Sequence, residues 1–310
     1  MTSAARHRPG TEPSPLSPEV PVSVQAAVSV EASVPAQAAP APTLAAWDNP
    51  PAVAPRGTVL LVVGRGEHPG VYERFGSRIG ADGYRVRAVG DPTLDPDGVT
   101  ADLRTLLADP DLPAPRILAG SDAGAAFAAA LVATGAVHVD ALLLAGLPTS
   151  EETAASTDSA DDGRDARDGG GEGAAGDWTA ELAARTACPT HQARLGADPH
   201  VRRGGLATAV PAQWLTDGDL ARVDVPVLGL HGAADLVSPL RRAREAYARA
   251  PRAELVAIEG GRHDALNDAT HRTAAAVIVL FLERLRLGAD LPVIARPLIA
   301  RPLVGHLGEN

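Results

Sequence analysis

The chain of 310 residues contains no lysine; all 28 of its basic residues are arginine. With 31 glycines, 27 prolines and abundant alanine, that points to a high-GC genome rather than to a function. A single cysteine, Cys188, excludes an intrachain disulfide, and nothing points to an oxidising compartment. No run of about 20 apolar residues is present, so no membrane-spanning helix is expected. Arg6 and Arg8 are followed by Pro13, Pro15, Pro18, Glu19 and Pro21, which break the apolar core that a signal peptide needs. The expected compartment is the cytoplasm. The formal charge of −10 disfavours nucleic acid or an anionic membrane as a partner. Much of that charge is local, because residues 151–177 hold nine acids against two arginines.

Residues 1–55 are rich in Ala, Pro, Val and Ser and poor in large apolar side chains. They cannot bury enough surface to offset ordering entropy and are expected to be disordered, with an edge strand at Val20 to Val30 as the lesser alternative. From Gly57 the pattern changes. Thr58 to Val63 is a continuous β-branched and apolar run, as in a strand buried on both faces. Helix-like and strand-like stretches then alternate: helix Val71 to Ala81, strand Tyr84 to Val89, helix Val99 to Leu107, strand Arg116 to Ala119, helix Ala125 to Thr134, strand Val137 to Ala145. The rhythm fails from Leu147 to Val223, where Trp178 to Thr186 and Ala212 to Leu220 are the plausible helices. It resumes with strand Pro226 to Leu230, helix Pro239 to Arg249, strand Glu254 to Ile258 and helix His271 to Arg286. This alternation predicts an α/β fold, a mostly parallel sheet with helices on both faces. The tail repeats Ile-Ala-Arg-Pro-Leu at Ile294 and again at Ile299, and its prolines forbid a regular helix.

Three loops that each follow a strand carry reactive groups. Gly120-Ser121-Asp122-Ala123-Gly124 is a glycine-framed turn between a strand and a small-residue helix, the shape of a nucleophile elbow. His231-Gly232-Ala233-Ala234-Asp235 supplies an acid, and Gly260-Gly261-Arg262-His263-Asp264 a histidine. Two registers of the elbow compete. Ser121 would be flanked by Ala119 and Ala123, Asp122 by Gly120 and Gly124. Glycine relieves the crowding better, and aspartate tolerates the positive φ of the nucleophile better than serine, so Asp122 is preferred.

Nucleophile, acid and histidine in this chain order resemble the α/β-hydrolase fold, over residues 56–288. Gly64-Arg65-Gly66-Glu67-His68-Pro69-Gly70-Val71-Tyr72 resembles the oxyanion loop of the monoglyceride lipase and lysophospholipase branch, with Val63 where that branch has histidine. Pro226 to Pro239 and Gly261 to Asp268 resemble its acid and histidine loops. The resemblance implies a small cap, which fits residues 147–222 with a disordered acidic loop at 149–177; a tail follows at 289–310. It also implies a triad of Asp122, Asp235 and His263, with the backbone N–H groups of Arg65 and Ala123 as oxyanion hole. A carboxylate suits attack on saturated carbon, as in the epoxide hydrolase and haloalkane dehalogenase branches. Their accessory groups are not evident: Ala123 stands where dehalogenases carry an aromatic, and Tyr72, Tyr84 and Tyr247 all lie outside the cap.

The expectation is a hydrolase that acts, without metal or other cofactor, on a small apolar substrate entering under Trp178 and Trp214. The bond would be an ester or an epoxide or other C–X bond. The alternatives are a serine esterase using Ser121, and an inactive ligand-binding homologue in which Asp122 marks a lost serine. Blander readings stand beside these. Asp235 could cap the helix after Ser238-Pro239, and His263 could be a turn residue. His68 and His271 read as structural, and Arg65 as an exposed charge more readily than as a carboxylate binder. Cys188 and His191 lack the second ligand pair of a zinc site.

Overall fold

The continuous apolar run near the start of the ordered chain becomes β2 (Gly57–Val62), buried along its whole length. In this computed structural model, which describes residues 43–149 and 177–296, its side chains alternate between two apolar layers. Val59 and Leu61 face one layer together with Phe75 and Ile79 of α1 (Glu73–Ala81) and Ile278, Phe281 and Leu282 of α8 (His271–Leu287). Leu60 and Val62 face the other, against Val99 and Leu103 of α2 (Pro96–Ala108) and Phe127 of α3 (Ala123–Ala133). Each such fully buried side chain contributes roughly 1.5–3 kcal/mol. That explains why the run carries no polar alternation: both faces are core.

β3 (Tyr84–Val89), β4 (Arg116–Ser121), β5 (Ala141–Ala145), β6 (Val227–Gly232) and β7 (Ala253–Ile258) join β2 in a parallel array, and β1 (Leu44–Trp47) pairs antiparallel with β3. The order across the sheet is β1-β3-β2-β4-β5-β6-β7. After β2 the chain crosses to β3 on one side, and after β4 it crosses to β5 on the other. Neighbours that lead away in opposite directions leave a crevice at their carboxyl ends, where ligands bind in open α/β sheets. The loops after β2 and β4 carry Arg65 and Asp122.

β1 corrects the expected disorder of residues 1–55 at its end. Four residues are too few for a legible period, but Trp47 lies against α1, where a Cβ on Gly76 would come within 2.2 Å of its ring. Small adjustments occur elsewhere. The strand expected from Val137 begins at Ala141, and the helix expected to Leu220 ends at Asp217 as α6 (Ala212–Asp217). Between β5 and β6 the chain also forms α4 (Trp178–Arg185) and α5 (Pro189–Ala197), with α7 (Leu240–Tyr247) following β6. α5 went unforeseen because only His191 and Leu195 are buried, so no apolar stripe marks it; Pro189 at its first turn was the available signal. The Val20 to Val30 alternation, the acidic loop apart from its edges, and the second half of the tail repeat lie outside the described residues. Among the described residues no helix is long and apolar enough to cross a membrane.

Candidate active site

The turn after β4 is built by contacts only glycine permits. A Cβ on Gly120 would lie 2.3 Å from the Gly124 carbonyl oxygen, and one on Gly124 would lie 2.4 Å from that of Val62. Between them Asp122 has φ 51° and ψ −126°, a left-handed conformation that costs a non-glycine residue on the order of 1–3 kcal/mol. Asp122 also precedes the first turn of α3, whose dipole favours a negative charge there. Ser121 instead ends β4 in register with Ala145.

The acid and histidine loops are pressed together in the same manner. A Cβ on Gly232 would come within 2.2 Å of the Arg262 carbonyl oxygen, and one on Gly146 within 2.4 Å of that of His263. Asp235 Oδ1 accepts from the backbone N–H groups of Val237 and Ser238 at 2.8 and 2.9 Å, and Oδ2 stands 2.8 Å from His263 Nδ1. Asp235 therefore orders its own loop rather than capping α7, whose N-cap is Pro239 without a side-chain cap, and it faces the histidine as well. His231 Nε2 also lies 3.3 Å from Asp235 Oδ2. On the other side of the ring, His263 Nε2 is 3.0 Å from Asp122 Oδ1. Three loops thus bring Asp122, His263 and Asp235 into one line of hydrogen bonds.

Arg65 departs from expectation. It is 5% exposed, so its reading as an exposed charge is corrected. Its backbone N–H donates to Asp122 Oδ2 at 2.9 Å. Its guanidinium donates to the same carboxylate, Nε to Oδ2 at 2.8 Å and Nη2 to Oδ1 at 2.7 Å. The third nitrogen, Nη1, donates to the carbonyls of Leu206 and Thr208 from the β5–β6 segment. Ala123 supplies the first backbone N–H of α3.

Charge follows from this geometry. Burial disfavours an ionised Asp122, but the Arg65 charge and the His263 hydrogen bond outweigh it and hold the carboxyl well below its usual range. Burial likewise opposes a charged His263, yet the Asp235 charge and the Asp122 hydrogen bond raise it to about 10. The resting site is a buried row of four charges, Arg65, Asp122, His263 and Asp235, in alternating sign.

A second polar cluster, not foreseen from the sequence, docks α4 over the β2 loop. Arg185, 2% exposed, donates to Glu67 Oε1 at 3.0 Å, to Glu181 Oε1 at 2.7 Å and to the Arg65 carbonyl at 2.7 Å. Glu67 in turn accepts from the Tyr72 hydroxyl. The i, i+4 spacing of Glu181 and Arg185 was the one legible hint.

The remaining candidates separate. His68 Nε2 pairs with Asp198 at 2.8 Å and its Nδ1 accepts from the Gly70 N–H, while His271 opens α8. His191 Nε2 stands 3.0 Å from Asp264 Oδ2, and Cys188 Sγ 3.5 Å from Arg74 Nη1. The two tryptophans do not converge. Trp178 packs on the layer containing α1 and α8 and carries the Arg203 guanidinium 5.5 Å from its ring centroid; Trp214 packs on the opposite layer, 4.7 Å from the Phe127 ring.

No family model matches the sequence. Solved structures do resemble the chain. A monoacylglycerol lipase from Paleococcus ferrophilus is 17% identical, with a TM-score of 0.56 over 77% of this chain and 97% of that one. A soluble variant of monoglyceride lipase from Saccharomyces cerevisiae, solved in complex with a substrate analog, is 16% identical, with a TM-score of 0.58 over 78% and 91%. A metagenome-derived lipolytic enzyme is 16% identical, with a TM-score of 0.51 over 79% and 99%. At these identities the likeness is one of fold, and the fold is that of the α/β-hydrolases.

Proposed function

We propose that the chain is a hydrolase whose nucleophile is Asp122 and whose first product is an ester on that side chain. The observation that carries the proposal is the division of labour between the two oxygens of Asp122. Oδ2 rests on the Arg65 backbone N–H at 2.9 Å, and Oδ1 faces His263 Nε2 at 3.0 Å. In a serine enzyme the oxyanion N–H serves a carbonyl of the substrate. Here it is aimed at the carboxyl group of the nucleophile, which helps when water attacks that group.

The steps follow. Asp122 Oδ1 attacks a carbon bearing a leaving group; a C–O bond forms and the leaving group departs with the bonding pair. Asp122 then carries no charge, so His263 loses one of its two anionic neighbours and gives its proton to the departing leaving group. Neutral His263, its tautomer held by Asp235, takes a proton from water, which attacks Cγ of Asp122. Negative charge collects on Oδ2 beside the Arg65 N–H, with the Ala123 N–H as second donor. Collapse breaks the bond from Cγ to Oδ1 and the departing oxygen takes the proton from His263, so the product hydroxyl keeps an oxygen that belonged to Asp122. The new Asp122 carboxyl group then returns its own proton to His263, which restores the resting pair.

A single turnover in ¹⁸O-water tests this. The reading expects label in the Asp122 peptide and none in the first product. Label in the product alone sinks it, and retained turnover in Asp122→Ala with loss in Ser121→Ala would transfer the role to serine. A ligand-binding protein without turnover is the second reading, favoured by the guanidinium fork that engages both Asp122 oxygens. Saturable binding with no adduct in His263→Gln would decide for it.

A further inference from the structure

We infer that the substrate of this site carries a carboxylate, which takes the place of Asp122 on the Arg65 guanidinium and presents the carbon beside it to Asp122. The inference rests on the nucleophilic reading of Asp122 and adds the substrate class. It begins from what blocks the site at rest. Oδ1 must form the new bond, yet it accepts from Arg65 Nη2 at 2.7 Å and from His263 Nε2 at 3.0 Å. The guanidinium therefore has to leave Asp122 before attack.

Where it can go is restricted. Nη1 is tied to the Leu206 and Thr208 carbonyls, and the Arg65 carbonyl accepts from the buried Arg185. Arg65 is thus fixed at both ends within the site and is almost wholly buried. A neutral substrate that displaced it from Asp122 would leave a buried cation without the carboxylate it is paired to, which is strongly unfavourable. A substrate carboxylate replaces one anion by another and keeps the charge balance. The planar fork, Nε with Nη2, matches two carboxylate oxygens and already grips one such group. Because that fork touches the oxygen that reacts, the carbon brought to Oδ1 is the one bonded to the substrate carboxylate, or its neighbour.

With 2-bromopropionate as probe, Asp122 Oδ1 bonds to C2, the C2–Br bond breaks, and bromide leaves with the electron pair. The test compares this anion with 2-bromopropionamide, its neutral analogue, in His263→Gln protein, which retains the ester. Intact mass and peptide mapping read the rate of adduct formation at Asp122. The expected result is alkylation by the anion at least about tenfold faster than by the amide. The preference shrinks in an added Arg65→Lys change, which keeps the charge but loses the fork, and vanishes with Arg65→Met. Should Arg65→Met fail to fold, protection decides: unreactive propionate should slow alkylation in the Arg65 protein where propionamide does not. Equal rates for anion and amide, or equal protection, overturn the inference, while an adduct on Asp122 from the amide leaves the hydrolase reading standing. No adduct from either reagent overturns both.

Discussion

The two halves of the site are built differently. On the acid side, Asp235 is held by backbone N–H groups of its own loop, 2.8 and 2.9 Å away, and gives its second oxygen to His263. On the proposed nucleophile side, Asp122 sits at φ 51° on a strained turn, and its partners all come from other loops: the Arg65 guanidinium and backbone N–H, and His263. Local backbone order thus fixes one carboxylate, and long-range charge fixes the other. The acid half suits any chemistry that needs an oriented imidazole. The proposed departure from serine chemistry rests on the Arg65–Asp122 pair.

The largest expected effect therefore comes from the nucleophile half. Asp122→Ala should lower turnover by about 10⁴-fold or more, measured with whichever reagent alkylates the His263→Gln protein. Turnover within tenfold of the parent would remove Asp122 from the chemistry and erase the contrast between the halves.

Next is stability. Replacing Arg65 by Met leaves a buried carboxylate with the imidazolium as its remaining charged partner, a loss expected to cost about 3–5 kcal/mol in urea unfolding. Arg65→Met combined with Asp122→Leu should recover much of that loss, because the pair is removed together. Additive losses would mean that the two charges do not depend on each other, and the nucleophile side would then be no more charge-bound than the acid side.

The sequence made the two halves unequally legible. Asp122 could be read because Gly120 and Gly124 frame it, and those glycines are fixed by backbone contacts within one turn. Asp235 and His263 could be read because each follows a strand-like run in a glycine-rich loop. β2 announced itself because both of its faces are core. Arg65 could be named from the oxyanion-loop resemblance, but its pairing with Asp122 could not be read: one arginine between two glycines carries no period, and its partner is 57 positions away. The same holds for Arg185 and Glu67, which meet only after α4 closes on the β2 loop. β1 and α5 were missed because four residues, or two buried positions in a helix, are too few to mark a face.

A smaller effect separates the tryptophans. Trp214→Ala should cost about 2–4 kcal/mol through its lost contact with Phe127 on α3, with little change in KM. Trp178 opens α4, the helix whose last residue, Arg185, ties the β5–β6 segment to the Arg65 loop. Its replacement should change KM more than the unfolding midpoint. The reverse pattern would move the substrate route to the Trp214 side of the sheet.

The smallest effect, and the finest test of the comparison, is the pH dependence of stability. His263 is raised in the folded state to about 10, against about 6.5 for an unfolded histidine. Its contribution is complete below the lower value and is lost as pH rises through the higher one. Asp122 is lowered, so its contribution is present above about 3.9 and is lost as pH falls through its depressed folded value. Stability should therefore be greatest between about pH 4 and 6.5, decline as pH rises from there through about 10, and fall again on the acid side. Asp235→Asn removes one anion from beside His263 and should bring the alkaline arm toward neutrality. Asp235 is itself held below its usual range, against burial, by His263, so the acid arm should shrink to the part that Asp122 supplies. Arg65→Lys keeps the charge but loses the fork; it should move the acid arm upward and the alkaline arm less. If either substitution shifts both arms equally, the four charges titrate as one unit, and the division between a backbone-held acid and a charge-held nucleophile has no thermodynamic counterpart.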